Sequence, residues 1–181
     1  MGMGLAHSTT ALLDEVWSRV RARLDGIDDR EYLWEPVPGC WSVRARGDLW
    51  EVERRHPEPH PAPVTTIAWR TWHIGSECVD GFAQMLFDTG ALELGEQEWF
   101  PDAASALEAM DAAWVVFRDR CVTLDDDAMA RPLGDRFGPF AEHNHADLLL
   151  HVADEVIHHG AEMALLRDLY AASGRMIGQH T

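Results

Sequence analysis

Glu155 and His159 stand one helical turn apart on a seam that reads Leu148, Val152, Glu155, His159, Glu162, Leu166, Leu169. On a helix this spacing brings both side chains to one face, where they can converge on a single cation. Pairs of this kind commonly stabilise exposed helix surface, but this one shares its face with leucines and valines that belong in a core. An unpaired carboxylate or imidazole buried there is costly, and a metal ion is a strong partner for both.

A second helix must complete the set. His151 cannot join His159, because their separation along one helix is about 12 Å, whereas metal–ligand bonds are about 2 Å. His73 is the better-placed residue, midway along an apolar face formed with Trp69, Trp72, Val79, Ala83 and Leu86. Two histidines and one carboxylate leave positions open on zinc or another first-row ion, as catalytic sites do and closed structural sites do not. The expected metal ligands are therefore His73, Glu155 and His159, with His151 and Glu162 placed to support them from behind. His158 is rotated about 100° away from His159. Cys78, just beyond His73, reads as core rather than nucleophile.

Four helices are needed to position these residues. Apolar spacing predicts the first from Ser8 to about Leu24, with Ser8, Thr9 or Thr10 as cap and Gly26 as stop. The second runs from a Thr65 or Thr66 cap to about Asp88, and the third from Pro101 and Asp102 to about Leu124. The fourth spans about Asn144 to Ala172, ending before Gly174. Between Tyr32 and Val64 lie six of the nine prolines, which exclude continuous helix or a central strand. This segment is expected to be a long ordered connection whose Trp34, Trp41 and Trp50 pack over the helices. No stretch shows the sustained alternation of a strand. The expected fold is all-α, a four-helix bundle in one domain over residues 1–181.

Composition narrows the function. There are 15 basic and 31 acidic residues, for a net charge of -16, and no basic stripe, so phosphate backbones are repelled and nucleic acid is excluded as a partner. Three well-separated cysteines form neither a disulfide framework nor a zinc ribbon, and they suit the cytoplasm. No export segment or membrane span is expected. Every basic residue is Arg, a bias that fits a GC-rich source.

Three stretches carry a resemblance: EYLWEPVPGCWSVR (Glu31 to Arg44), TTIAWRTWHIG (Thr65 to Gly75) and HVADEVIHHGAEMALLRDLY (His151 to Tyr170). Together they resemble the DinB-like superfamily of metal-binding helical bundles of the DinB/YfiT-like type. This group includes mycothiol-dependent maleylpyruvate isomerases and the bacillithiol or mycothiol S-transferases. The resemblance implies a metal held by His73, Glu155 and His159, with Glu155 matching the carboxylate variant of the mycothiol-dependent branch. It further implies a divalent ion, zinc first and nickel or iron next, with mycothiol as co-substrate. The expected activity is thiol S-transfer to a small electrophile. A metal-dependent hydrolase or lyase that activates water, or a non-catalytic metal-binding bundle, stands as the alternative. Expected partners are a small-molecule substrate and a low-molecular-weight thiol, with a homodimer left open.

Overall fold

The structure is a computed structural model that describes residues 4–177. It is mostly helical, and most of its buried apolar residues form one continuous core. The first long helix, α1 (Leu5–Leu24), starts from Gly4 rather than from Ser8, Thr9 or Thr10, which lie inside it. The reason is tertiary: the first-turn N–H of Ala6 donates to Asp126 Oδ1 at 2.8 Å, so a distant carboxylate does the work of a local cap. Gly26 follows the helix with φ of 69°, the left-handed geometry expected of a stop.

The connection that follows is ordered, as expected, and holds a one-turn helix and a two-stranded hairpin that were not anticipated from the sequence. After the one-turn helix α2 (Asp29–Tyr32), strands β1 (Val43–Arg46) and β2 (Leu49–Val52) pair antiparallel, with Val43 opposite Val52 and Arg46 opposite Leu49. Gly47 and Asp48 form the turn, Gly47 having φ of 62°, and a Gly-Asp pair is a sufficient hairpin signal even between short strands. Trp34, Trp41 and Trp50 pack against the core as expected. The Trp41 carbonyl accepts from Thr66 N–H at 2.9 Å, which pins the connection to the start of the next helix.

That helix is one rod in three parts: α3 (Ile67–Trp72), a π-helical segment (His73–Asp80) and α4 (Gly81–Phe87). The Thr66 hydroxyl caps it by accepting from Trp69 N–H at 3.3 Å. Asp88, with φ of 54°, ends it. Helix α5 (Ala103–Cys121) begins at Asp102, whose carboxylate accepts from Ser105 N–H at 2.8 Å. A short helix α6 (Asp126–Met129) and a 3₁₀ stretch (Asp135–Phe140) lead to the last helix, α7 (His145–Ile177).

Asn144 and Asp147 cap α7 reciprocally at 2.9 and 3.0 Å. The helix continues past its expected end, through Gly174 to Ile177, since one glycine costs a helix only about 1 kcal/mol. Leu169, expected on the inner seam, is exposed.

Helix α7 packs along α1 and against the π-helical segment, whose other side meets α5. The α1–α7 approach depends on Gly160, where a Cβ would run into Val20. Trp17 and Trp114 stack at 4.4 Å between α1 and α5. Arg167 of α7 makes a bidentate pair with Glu31 at 2.8 and 3.1 Å, tying the connection to the far end of the last helix. Among the described residues no helix is long and apolar enough to cross a membrane.

Candidate metal centre

His73 begins the π-helical segment, and Glu155 and His159 project from the facing side of α7. The packing of these two elements brings the three together. His73 Nε2 lies 3.1 Å from Glu155 Oε2, and His159 Nε2 lies 3.0 Å from the same oxygen. The two imidazole rings meet edge to face with centroids 4.7 Å apart. Donors at about 2.0–2.1 Å from zinc with tetrahedral angles stand about 3.3–3.4 Å from one another. The three residues are therefore close to the spacing that one ion requires, and they fit it in chemistry as well as in distance. His159 is buried, while His73 and Glu155 keep partial exposure, so the cluster is reachable from outside.

Each histidine is held from its other ring nitrogen by a carboxylate. His73 Nδ1 is 2.8 Å from Glu77 Oε2, and His159 Nδ1 is 2.7 Å from Glu162 Oε2. The His73 contact places a proton on Nδ1, and in both rings Nε2, turned toward Glu155, is the candidate ligand atom; the Arg70 guanidinium also faces His159 Nδ1, at 3.0 Å. Arg54 pairs with Glu77, and Arg70 pairs with Glu162 at 3.0 Å. Two relays result, Arg54–Glu77–His73 and Arg70–Glu162–His159, arriving from opposite sides.

Aromatic packing fixes the ring of His73 further. Trp69, one turn earlier, stacks on it at 5.4 Å and 18°, and the Trp69 indole N–H donates to the Glu53 carbonyl at 2.8 Å. Arg70 and Arg54 lie over the faces of Trp69 and Trp72 respectively.

The electrostatics call for a cation at the centre. Burial alone would lower the pKa of His73, but hydrogen bonding to Cys78, Glu77 and Glu155 outweighs it and pushes the group up to about 10. Burial works to raise Glu155, yet its histidine neighbours, His73 first, hold it below the ordinary carboxylate value. Glu77 and Glu162 are lowered in the same way, against burial, by His73 and His159 respectively. Without an ion, this environment holds a proton on the His73 ring. A divalent cation meets the same demand.

Of the residues expected to support the ligands, Glu162 sits directly behind His159. His151 is half exposed, with Nε2 3.9 Å from Glu155 Oε1 and its ring against the edge of Phe82. Glu77, Arg54 and Arg70 were not anticipated. For Glu77 a signal was present, since it follows His73 by the same four-residue step that separates Glu155 from His159. Arg54 lies in the connection, and nothing in its local sequence announces it. His158, His159 and Glu162 form a second acidic and imidazole grouping; its outer member, His158, is exposed and lies 3.3 Å from Glu162 Oε1.

The fold and this cluster define a helical protein with two histidines and a carboxylate gathered between its second and last long helices. Residues 12–163 match the model of the DinB superfamily, and the chain belongs to that superfamily. No curated protein and no solved structure matches it significantly.

Proposed function

We propose that this DinB-superfamily protein is a metal-dependent thiol S-transferase. On this reading one divalent ion is held by His73, Glu155 and His159, and a low-molecular-weight thiol, mycothiol first, is joined to a small electrophile. The observation that supports it best is the pair of carboxylate relays, which turn both Nε2 atoms toward Glu155 Oε2. Histidines that ligate catalytic metals are oriented in this way. A bound ion, zinc with nickel or iron as alternatives, would lower the pKa of a coordinated thiol and hold it as thiolate.

The chain's own residues prepare the surroundings. Trp69 and Trp72 pack beside His73 and form one wall of the site. A cavity of about 730 Å³ lies along α7 on the other side, lined by Phe82, Leu133, Phe137, Phe140, Leu148 and His151. His151 is one turn from Glu155, so this apolar, aromatic-lined space offers the electrophile a seat next to the centre. The sulfur–carbon bond forms there as the electrophile's leaving group departs with the electron pair.

The preference for mycothiol rests on the carboxylate at position 155 and on the all-arginine basic composition. The four long helical segments are read as a DinB-type four-helix bundle in one domain that works in the cytoplasm, with a homodimer as its candidate assembly.

The test is conjugate formation from mycothiol and a bimane electrophile by metal-loaded protein, with His159→Ala as control. Turnover that needs both metal and thiol supports the reading. Wild-type rates equal to the control with mycothiol, bacillithiol and glutathione alike would remove it. Thiol-independent hydrolysis would point to water activation instead.

A further inference from the structure

Cys78 is buried, and its Sγ lies 3.6 Å from His73 Nε2 and 4.0 Å from Glu155 Oε2. These are two of the three atoms that the metal-centre reading assigns as ligands. The backbone accounts for the placement. Residues five apart on an α-helix point to different sides, whereas π-helical i→i+5 closure sets them one above the other, and His73 and Cys78 are the residues so related. Sulfur at about 2.3 Å and nitrogen or oxygen at about 2.0–2.1 Å from a tetrahedral zinc stand about 3.5–3.6 Å apart. The distance to His73 already matches that edge and the distance to Glu155 is longer by about half an ångström, while the sulfur stands farther from His159, outside the group whose ligand atoms all lie within 4.8 Å of one another.

The other two cysteines have no such surroundings. Cys40 Sγ faces the Val37 carbonyl at 2.9 Å, and Cys121 ends α5 among core residues.

We propose that Cys78 is a fourth protein ligand of the metal centre, bound through its sulfur as thiolate. The proposal rests on the assignment of His73, Glu155 and His159 as ligands and adds a soft donor to that set. A thiolate favours zinc over hard ions such as magnesium or manganese. Its proton leaves for solvent as the sulfur–metal bond forms. Zinc tolerates expansion to five ligands, so a fourth protein ligand leaves room for the added thiol of the proposed reaction.

Cobalt(II) is the probe. Metal-free full-length protein is loaded with cobalt and desalted, and cobalt content and absorption are then read together. The expected result is a near-ultraviolet sulfur-to-cobalt charge-transfer band in the wild type. Cys40→Ser and Cys121→Ser should keep it, and Cys78→Ser and Cys78→Ala should lose it while still retaining cobalt. X-ray absorption at the zinc edge of the wild type needs no variant, and it should show one sulfur at about 2.3 Å. Cobalt retained by the wild type without the band, a band that survives in Cys78→Ala, or a zinc shell free of sulfur would each overturn the ligand alone. Failure of the wild type to retain cobalt or zinc would overturn the metal centre, and Cys78 with it.

Discussion

Glu162 Oε2 lies 2.7 Å from Nδ1 of His159, and this contact turns Nε2 of the same ring toward Glu155. Glu77 stands in the same relation to His73. Neither glutamate has to touch an ion to govern how well one binds. Glu162→Gln and Glu77→Gln should each weaken zinc affinity by about 10–100-fold with the helical content unchanged, measured by competition with a chromophoric chelator. Unchanged affinity in both would separate the relays from metal binding.

Removal of the ligands themselves should act more sharply. His73→Ala, Glu155→Ala and His159→Ala are each expected to strip most of the metal from purified protein, as read by elemental analysis. His158→Ala should change little, because His158 is exposed and lies outside the trio, against Glu162 and the face of the His159 ring. Full occupancy in any two of the first three would overturn the assignment, and full occupancy in His73→Ala and Glu155→Ala with loss in His158→Ala and His159→Ala would move the centre to the outer grouping of His158, His159 and Glu162.

Metal should stabilise the fold without creating it, since a continuous apolar core extends through the helices well beyond the cluster. Chelated protein is expected to keep its helical circular dichroism and to melt at a lower temperature. Free zinc at 100 times its dissociation constant contributes about 2.7 kcal/mol. Complete loss of helix on chelation would make the site a structural one.

In metal-free protein, stability should fall on both sides of a plateau. His73 has a folded pKa raised from 6.5 to about 10. Its contribution is therefore complete below pH 6.5 and is lost as pH rises toward about 10. Glu77, Glu155 and Glu162 are lowered when folded, so their contribution is present above the ordinary carboxylate value and is lost as pH falls through their folded values. Thermal melts across pH should show both declines, and His73→Gln should abolish the alkaline one.

Gly160 predicts a steric effect that runs against helix propensity. Alanine is favoured over glycine in a helix by about 1 kcal/mol, but a Cβ at 160 meets Val20 of α1. Gly160→Ala should therefore lower stability, by about 1–3 kcal/mol as overpacking does. Gly160→Ala combined with Val20→Ala should recover part of the loss. A more stable single variant would show that α1 shifts freely along α7.

The three ligand candidates and all four long helices were legible in the sequence, because apolar residues at steps of three and four mark a buried face whatever the rest of the chain does. Glu155, His159 and Glu162 stood out as polar residues on such a face, and His73 as the imidazole on another. The start of α1 was not legible, because its cap is Asp126, more than a hundred residues away. The hairpin was hidden by its short strands amid prolines, with only Gly47 and Asp48 to mark the turn.

The surroundings of the cluster were decided by packing. A sequence read with one helical period places Cys78 and His73 on different sides of the helix, and only the π-helical geometry of His73–Asp80 brings the sulfur beside the imidazole. Arg54 reaches Glu77 from the connection, and Arg70 reaches Glu162 across two helices. These pairings depend on how separate elements approach, and local sequence carries no term for that distance. Periodicity thus determined which residues face inward, and tertiary packing determined which of them meet.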